Sequence, residues 1–185
     1  MAVDVRRPVL RDVNELARIN IDTWRAAYAG IVPQARLDSM DAQAYRLRWI
    51  ENVTAGRPGV ELRVADVDGR LAAYAIAGPY RPQEDAEPEV VTGLAELYAL
   101  YVDPPMQGRG AGTAVHDAVL RALAAQGNEE AALWVLVDNV PSRRWYESRG
   151  WRADGALSMW SAGDRGLPEL RMRRSLPAGS AERSA

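Results

Sequence analysis

From Tyr101 to Thr113 the chain reads Tyr-Val-Asp-Pro-Pro-Met-Gln-Gly-Arg-Gly-Ala-Gly-Thr: an apolar strand, a proline break, a glycine-rich turn and the start of a helix. Three glycines, Gly108, Gly110 and Gly112, strip the turn of side chains. Several backbone N–H groups can therefore converge on one anion. The helix that follows adds its unpaired N-terminal N–H groups and the positive end of its dipole. Read alone, the segment is either a mobile loop or a place to hold phosphate.

Spacing decides which phosphate. A P-loop needs G-x-x-x-x-G-K-[ST], and all 23 basic residues of this chain are arginine. A dinucleotide fingerprint needs G-x-G-x-x-G, but Thr113 stands where the third glycine belongs. What remains is Q-x-x-G-x-G, from Gln107 through Gly110 to Gly112.

The 185 residues suit one domain, taken as 1–174, with a small polar tail over 175–185 expected to be disordered. A net charge of −2 argues against nucleic acid or an anionic membrane as the main partner. No apolar run reaches the ~20 residues of a membrane helix, and the start lacks the apolar core of a signal peptide. The absence of cysteine excludes disulfides, thiolate metal sites and a cysteine nucleophile, so the expected compartment is the cytoplasm and no metal is expected.

Along the chain, Arg6 to Leu10 reads as a strand, and Asp12 with Glu15 as a capping box opening a helix to about Tyr28. Gly30 and Pro33 stop that helix, and a second is expected over Asp38 to Asn52. Strands over Val60 to Asp66 and Leu71 to Ala77 flank Asp68-Gly69, a hairpin signal. Pro79 to Pro88 is an acidic loop (Glu84, Asp85, Glu87, then Glu89), and Leu94 to Val102 is a fourth strand. Beyond the glycine turn, Val115, Ala118, Val119, Ala122 and Leu123 stripe one helix face. Ala131 to Val137 is a strand, Ser142 to Ser148 a short helix, and Trp151 to Trp160 and Glu169 to Arg174 the last strands. The order β-α-α-β-β-β-α-β-α-β-β is an α/β pattern around a mixed sheet.

A second block carries chemistry: Leu133-Trp-Val-Leu-Val-Asp-Asn139, then Ser142-Arg-Arg-Trp-Tyr-Glu-Ser-Arg-Gly-Trp151. Together with the glycine turn it resembles the GNAT superfamily of N-acetyltransferases, as does Asp22 to Pro33. The resemblance implies a mixed, mostly antiparallel sheet whose central parallel strands splay apart, with about four helices. It implies that acetyl-CoA enters the wedge as an extra strand along Leu100, Tyr101 and Val102. Its pyrophosphate is then expected on Gln107, Gly108, Arg109, Gly110, Ala111, Gly112 and Thr113, and its pantetheine arm near Asn139 and Ser142. Tyr146 is the general acid the resemblance suggests, or else an aromatic packed on the sheet. Glu96 is the candidate base, sharing a strand face with Tyr98 and Leu100; the alternatives are that it orders a water or binds a cationic amine. Trp24 and Tyr28, one helical turn apart, either line the acceptor pocket or pack in the core. His116 falls off the apolar stripe and reads as a solvated surface residue, and the acidic loop as either an amine attractor or a solvated loop. The implied reaction is direct acetyl transfer to a primary amine, most simply a small molecule. A silent CoA-binding module, a protein N-terminal acetyltransferase and a different donor such as succinyl-CoA stay open, as does a homodimer against a monomer.

Overall fold

Asp68 and Gly69 both take positive φ, +50° and +81°, the geometry a two-residue hairpin turn requires. The computed structural model, which describes residues 2–82, 92–163 and 165–177, builds outward from that hairpin. Its strands are β1 (Val3–Arg6), β2 (Glu61–Val67), β3 (Arg70–Pro79), β4 (Leu94–Val102), β5 (Glu130–Leu136), β6 (Arg152–Ala162) and β7 (Arg165–Ser175). Its α-helices are α1 (Val13–Ala27), α2 (Gln34–Asp38), α3 (Ala42–Thr54), α4 (Ala111–Ala125) and α5 (Val140–Glu147). One seven-stranded sheet runs β1-β2-β3-β4-β5-β7-β6, and only β4 and β5 pair in parallel. The expected mixed α/β sheet is observed, with five α-helices where about four were expected.

Several expected boundaries move, each for a local reason. The first strand is Val3–Arg6 rather than Arg6 to Leu10, because Pro8 has no N–H with which to extend a ladder. Asp12 does not cap α1 with its side chain. Its carboxylate turns back to accept the Val9 N–H at 2.8 Å and clasps Arg6 at 2.6 and 2.9 Å. The helix expected from Asp38 begins at Ala42, since the Asp41 side chain accepts the Ala44 N–H at 2.7 Å and so starts a new helix after α2. At the C-terminal end the fold continues past Ser175: Leu176 is buried and its N–H donates to Glu129 O. The remainder of the expected tail, 178–185, lies outside the described residues.

Burial of α4 against one sheet face (Val115, Val119, Leu123 with Leu133 and Met172) and of α1 and α3 against the other (Leu16, Ile19, Trp49 with Tyr74) forms the layers. Ala118 and Ala122 are only half-buried, and Leu120 and His116 take places in the buried face of α4.

The centre of the sheet is irregular in two ways. Ile76 pairs with Ala99 but Ala77 pairs with Leu97, so Tyr98 is an extra residue, a β-bulge in β4. In consequence Leu97 and Leu100 pack on the α4 side while Ala99 and Tyr101 pack on the other. Glu96 therefore does not share a face with Leu100, contrary to strict alternation. In addition, β4 and β5 pair only at Leu94, Ala95 and Glu96, opposite Glu130, Ala131 and Ala132. Beyond Glu96 the two strands part.

Candidate active site

Where β4 ends, Asp103 is buried and held by Arg18 of α1 through two hydrogen bonds of 3.0 and 2.8 Å. The Thr23 hydroxyl donates to Val102 O at 3.1 Å. These bonds fix the strand end from which the glycine turn springs. Gly110 caps α4 in the left-handed region at φ +85°, where a side chain is strained. A Cβ at Gly112 would lie 2.9 Å from Val102 Cγ2, so this glycine is what lets the helix start against the strand. Ala114 N–H makes the first bond of α4, to Gly110 O, which leaves the preceding N–H groups facing outward.

Arg149, which the sequence reading passed over, joins this site from beyond α5. Its guanidinium lies 3.7 Å from the centre of the Trp145 ring and donates to Thr113 Oγ1 at 2.7 Å. Its Nε is buried without a partner. The helix N-terminus and a guanidinium thus converge on one anion position. The Arg109 side chain is exposed and is absent from the walls of the cleft.

A cleft of about 1330 Å³ runs from this turn between the parted strands. Leu100, Tyr101 and Val102 line one wall, and Asn139, Ser142 and Tyr146 the other. Asn139 is buried, and its side-chain oxygen caps α5 by accepting the Ser142 N–H at 3.2 Å. Tyr146 packs edge-on against Trp145 and Trp151, and its hydroxyl forms no hydrogen bond among the described residues. Burial, with Tyr28 nearby, pushes the Tyr146 phenol well above its ordinary pKa, so it stays protonated.

At the far end Trp24 stacks edge-on with Tyr28 and Trp160 at 4.8 and 5.6 Å, and its indole N–H donates to the Tyr101 hydroxyl at 2.9 Å. Both Trp24 and Tyr28 line the cleft while also packing on the buried side chains of Ile21, Leu37, Leu136 and Leu167, so wall and core are one surface here. Two carboxylates close this end. Glu96 is 3% exposed, and Arg81 holds it through its guanidinium at 2.6 and 3.3 Å and through its backbone N–H at 3.0 Å. Glu169 of β7 also lines the cleft, and its carboxylate has no hydrogen bond or ion pair among the described residues. Burial and the nearby charge of Glu96 raise its pKa to about 6. Nothing in the local pattern around Glu169 marked it; only the pairing of β7 with β5, Glu169 beside Leu136, brings it into the wedge.

The structure corrects the reading of His116. It is fully buried, accepts the Trp151 indole N–H on Nε2 at 3.0 Å and meets the Asp117 carboxylate through Nδ1 at 2.7 Å. Burial lowers its pKa. It supports Trp145 and Trp151, the rings behind Tyr146. The acidic residues Glu84, Asp85, Glu87 and Glu89 lie outside the described residues.

Residues 18–151 match the model of the acetyltransferase (GNAT) family. An uncharacterized N-acetyltransferase, YuaI, of Bacillus subtilis is 27% identical over 146 residues, covering 79% of this chain and 78% of that protein. A mycothiol acetyltransferase of Clavibacter michiganensis is 37% identical over 102 residues, 55% of this chain but 29% of the relative. Among solved structures, PaiA N-acetyltransferase from Thermoplasma acidophilum in complex with coenzyme A superposes with a TM-score of 0.69 at 16% identity, covering 95% and 99% of the two chains. YncA from Salmonella typhimurium with acetyl-CoA gives 0.66 at 21% identity over the full length of both.

Proposed function

This chain belongs to the GNAT acetyltransferase family and is an acyltransferase, and we propose that it transfers acetyl from acetyl-CoA to a primary amine by direct attack with both substrates bound. The observation that carries this reading is one continuous cleft with an anion cradle at one end and an unpaired carboxylate at the other. The residues present fit coenzyme A: the outward N–H groups of α4, the close approach that Gly112 permits and the positive charge of Arg149 beside Thr113 all suit a diphosphate. The β4 edge from Leu97 to Val102, unpaired on the β5 side, suits an amide-bearing arm. When bound, acetyl-CoA supplies the acetyl group as a thioester.

The chain's own groups then divide the work. An amine, protonated near pH 7, must give up a proton before its nitrogen can attack. Glu169 takes it, because a carboxylate with a pKa of about 6 is mostly ionised at pH 7 yet a better base than an ordinary one. Glu96, the base expected from the sequence, is held by Arg81; its role in this reading is to fix Arg81 and to raise Glu169. Backbone N–H groups at the free edge of β4 face the oxygen that gains charge. Tyr146 donates a hydrogen bond to the departing sulfur. Full proton transfer is not required of it, since a thiol ionises near ~8.5 and this phenol well above that.

Relatives named for mycothiol and for phosphinothricin support a small acceptor. Cytoplasmic location stays part of the reading on sequence grounds alone. The test is thiol release from acetyl-CoA across an amine panel with the wild type and Tyr146→Phe. The reading expects turnover with at least one amine and a kcat about 10²-fold lower in the variant. Tight CoA binding with no thiol release on any amine, in either protein, would replace it with a silent CoA-binding module.

A further inference from the structure

A second pocket, of about 540 Å³, adjoins the acceptor end of the cleft and shares Trp24, Tyr98, Tyr101, Trp160 and Arg81 with it as common walls. Its chemistry is opposite to that of the glutamate end. Arginines from α2, α3, the loop after α3, β2 and the N-terminal segment line it, against Glu51 and Glu61. Arg81 is committed to Glu96, and Arg63 to Glu61 at 2.5 Å. Arg36, Arg48 and Arg57 have no carboxylate partner among the described residues. Arg48 leans over the ring of Tyr45 at 5.4 Å, another wall of the same pocket.

We infer that this arginine pocket is the subsite for an anionic group on the acceptor, so that the substrate is an amine whose chain ends in a carboxylate or phosphonate. The inference rests on the acetyl-transfer reading of the cleft and names its substrate class. An acceptor laid across both pockets has its amine at Glu169, an apolar middle on the Trp24–Trp160 wall and its anion among Arg36, Arg48 and Arg57. Each part meets its match: a cation meets a free carboxylate and aromatic faces, methylenes meet rings, and an anion meets guanidinium groups that can bind it with paired N–H donors. The three arginines stand on different elements, α2, α3 and the loop beyond it, so their convergence comes from tertiary structure rather than from one charged helix face. A diamine would place its second cation against them. The pocket thus selects against polyamines by repulsion as well as for amino acids by attraction.

The test separates binding from turnover. Calorimetric titration of the CoA-loaded protein with 5-aminopentanoate, 4-aminobutylphosphonate, pentylamine and 1,5-diaminopentane compares tails that differ in charge. At least one anion-tailed amine should bind about tenfold or more tightly than pentylamine, with the diamine weakest, and the better of the two names the anion. In Arg48→Gln/Arg57→Gln that ratio should fall towards one, and in Arg48→Lys/Arg57→Lys it should recover in part. Pentylamine or the diamine binding as tightly as both anionic amines, a ratio that survives in the Gln variant, or no binding by any of the four would overturn the inference. Selective binding without thiol release from acetyl-CoA would keep the subsite and sink the acetyl-transfer reading instead.

Discussion

At the scale of single residues the cleft separates two glutamates by their partners. Glu96 is buried and neutralised by Arg81, whereas Glu169 is half-buried and its carboxylate has no counter-ion among the described residues. This makes Glu169 costly to the fold and, in the proposed acetyl transfer, useful to the reaction. Below the ordinary carboxylate range Glu169 is protonated whether folded or unfolded, and its burial costs nothing. As pH rises towards 6 the unfolded chain ionises it first, and above about 6 the folded state bears the full penalty. A shift of this size corresponds to about 2 kcal/mol, and about 1 kcal/mol once partial exposure is allowed for. Glu169→Gln should therefore raise Tm by about 2–4 °C at pH 8 and not at pH 4, while lowering kcat about 10²-fold. The acid limb of kcat/KM near pH 6 should vanish in Glu169→Gln and move to lower pH in Glu96→Gln, which removes the charge that raises Glu169. A limb that survives in Glu169→Gln and is lost in Glu96→Gln would return the base to Glu96. Neither Glu169 nor the burial of His116 was legible in the sequence, and for one reason. Each is set by a partner far along the chain: β5 packed beside Glu169, and the indole of Trp151 reaching His116 Nε2 from 35 positions away. Glu96 and Tyr146 were expected at the cleft and line it, since the elements that carry them border the glycine turn and the Asn139 cap.

At the scale of elements, the strand from Leu94 to Val102, the turn after it and the helix beyond were readable in that order, and the glycines explain why. Gly110 supplies a backbone conformation and Gly112 a clearance, and both demands are local. The bulge at Tyr98 was not readable, because nothing in an apolar strand declares which residue its neighbour leaves unpaired. Sequence alternation therefore put Glu96 on the face of Leu100, and one extra residue undid it. The helix start offers a clean experiment. In Gly112→Ala the new methyl would press on Val102 Cγ2 from 2.9 Å and push the first turn of α4 away from β4. Overpacking of this kind costs about 1–3 kcal/mol. Because the outward N–H groups move with the turn, coenzyme A affinity measured by calorimetry should fall by about tenfold or more, while the amine KM at saturating acetyl-CoA changes little. If stability falls and CoA affinity does not, the helix N-terminus is not the phosphate cradle.

At the scale of the whole molecule, the two halves of the sheet meet directly through only three parallel residue pairs. The β1–β4 meander carries α1 and α3 on one face, α4 ties it to β5 across the other, and Ile21 and Leu37 pack with Leu136 and Leu167 between the two halves. Parting the strands leaves polar backbone on both edges of the wedge, a state the fold accepts only because the cleft admits water or a ligand that pairs with it. A ligand seated there completes the sheet and joins the halves, so it should act on stability as well as on chemistry. At acetyl-CoA one hundredfold above its dissociation constant, linkage predicts about 2.7 kcal/mol of added stability. For a chain of this length that is a rise in Tm of roughly 5–10 °C. Hydrogen exchange should locate the effect: amides of Leu97–Val102 and of Leu133–Leu136 should slow on binding, together with those of Ala111 to Thr113. The β2–β3 hairpin, which already has partners on both sides along most of its length, should change far less. Protection confined to α4, with the two strand edges exchanging as before, would mean that the coenzyme is held by its phosphates alone and that the wedge between β4 and β5 is not its seat.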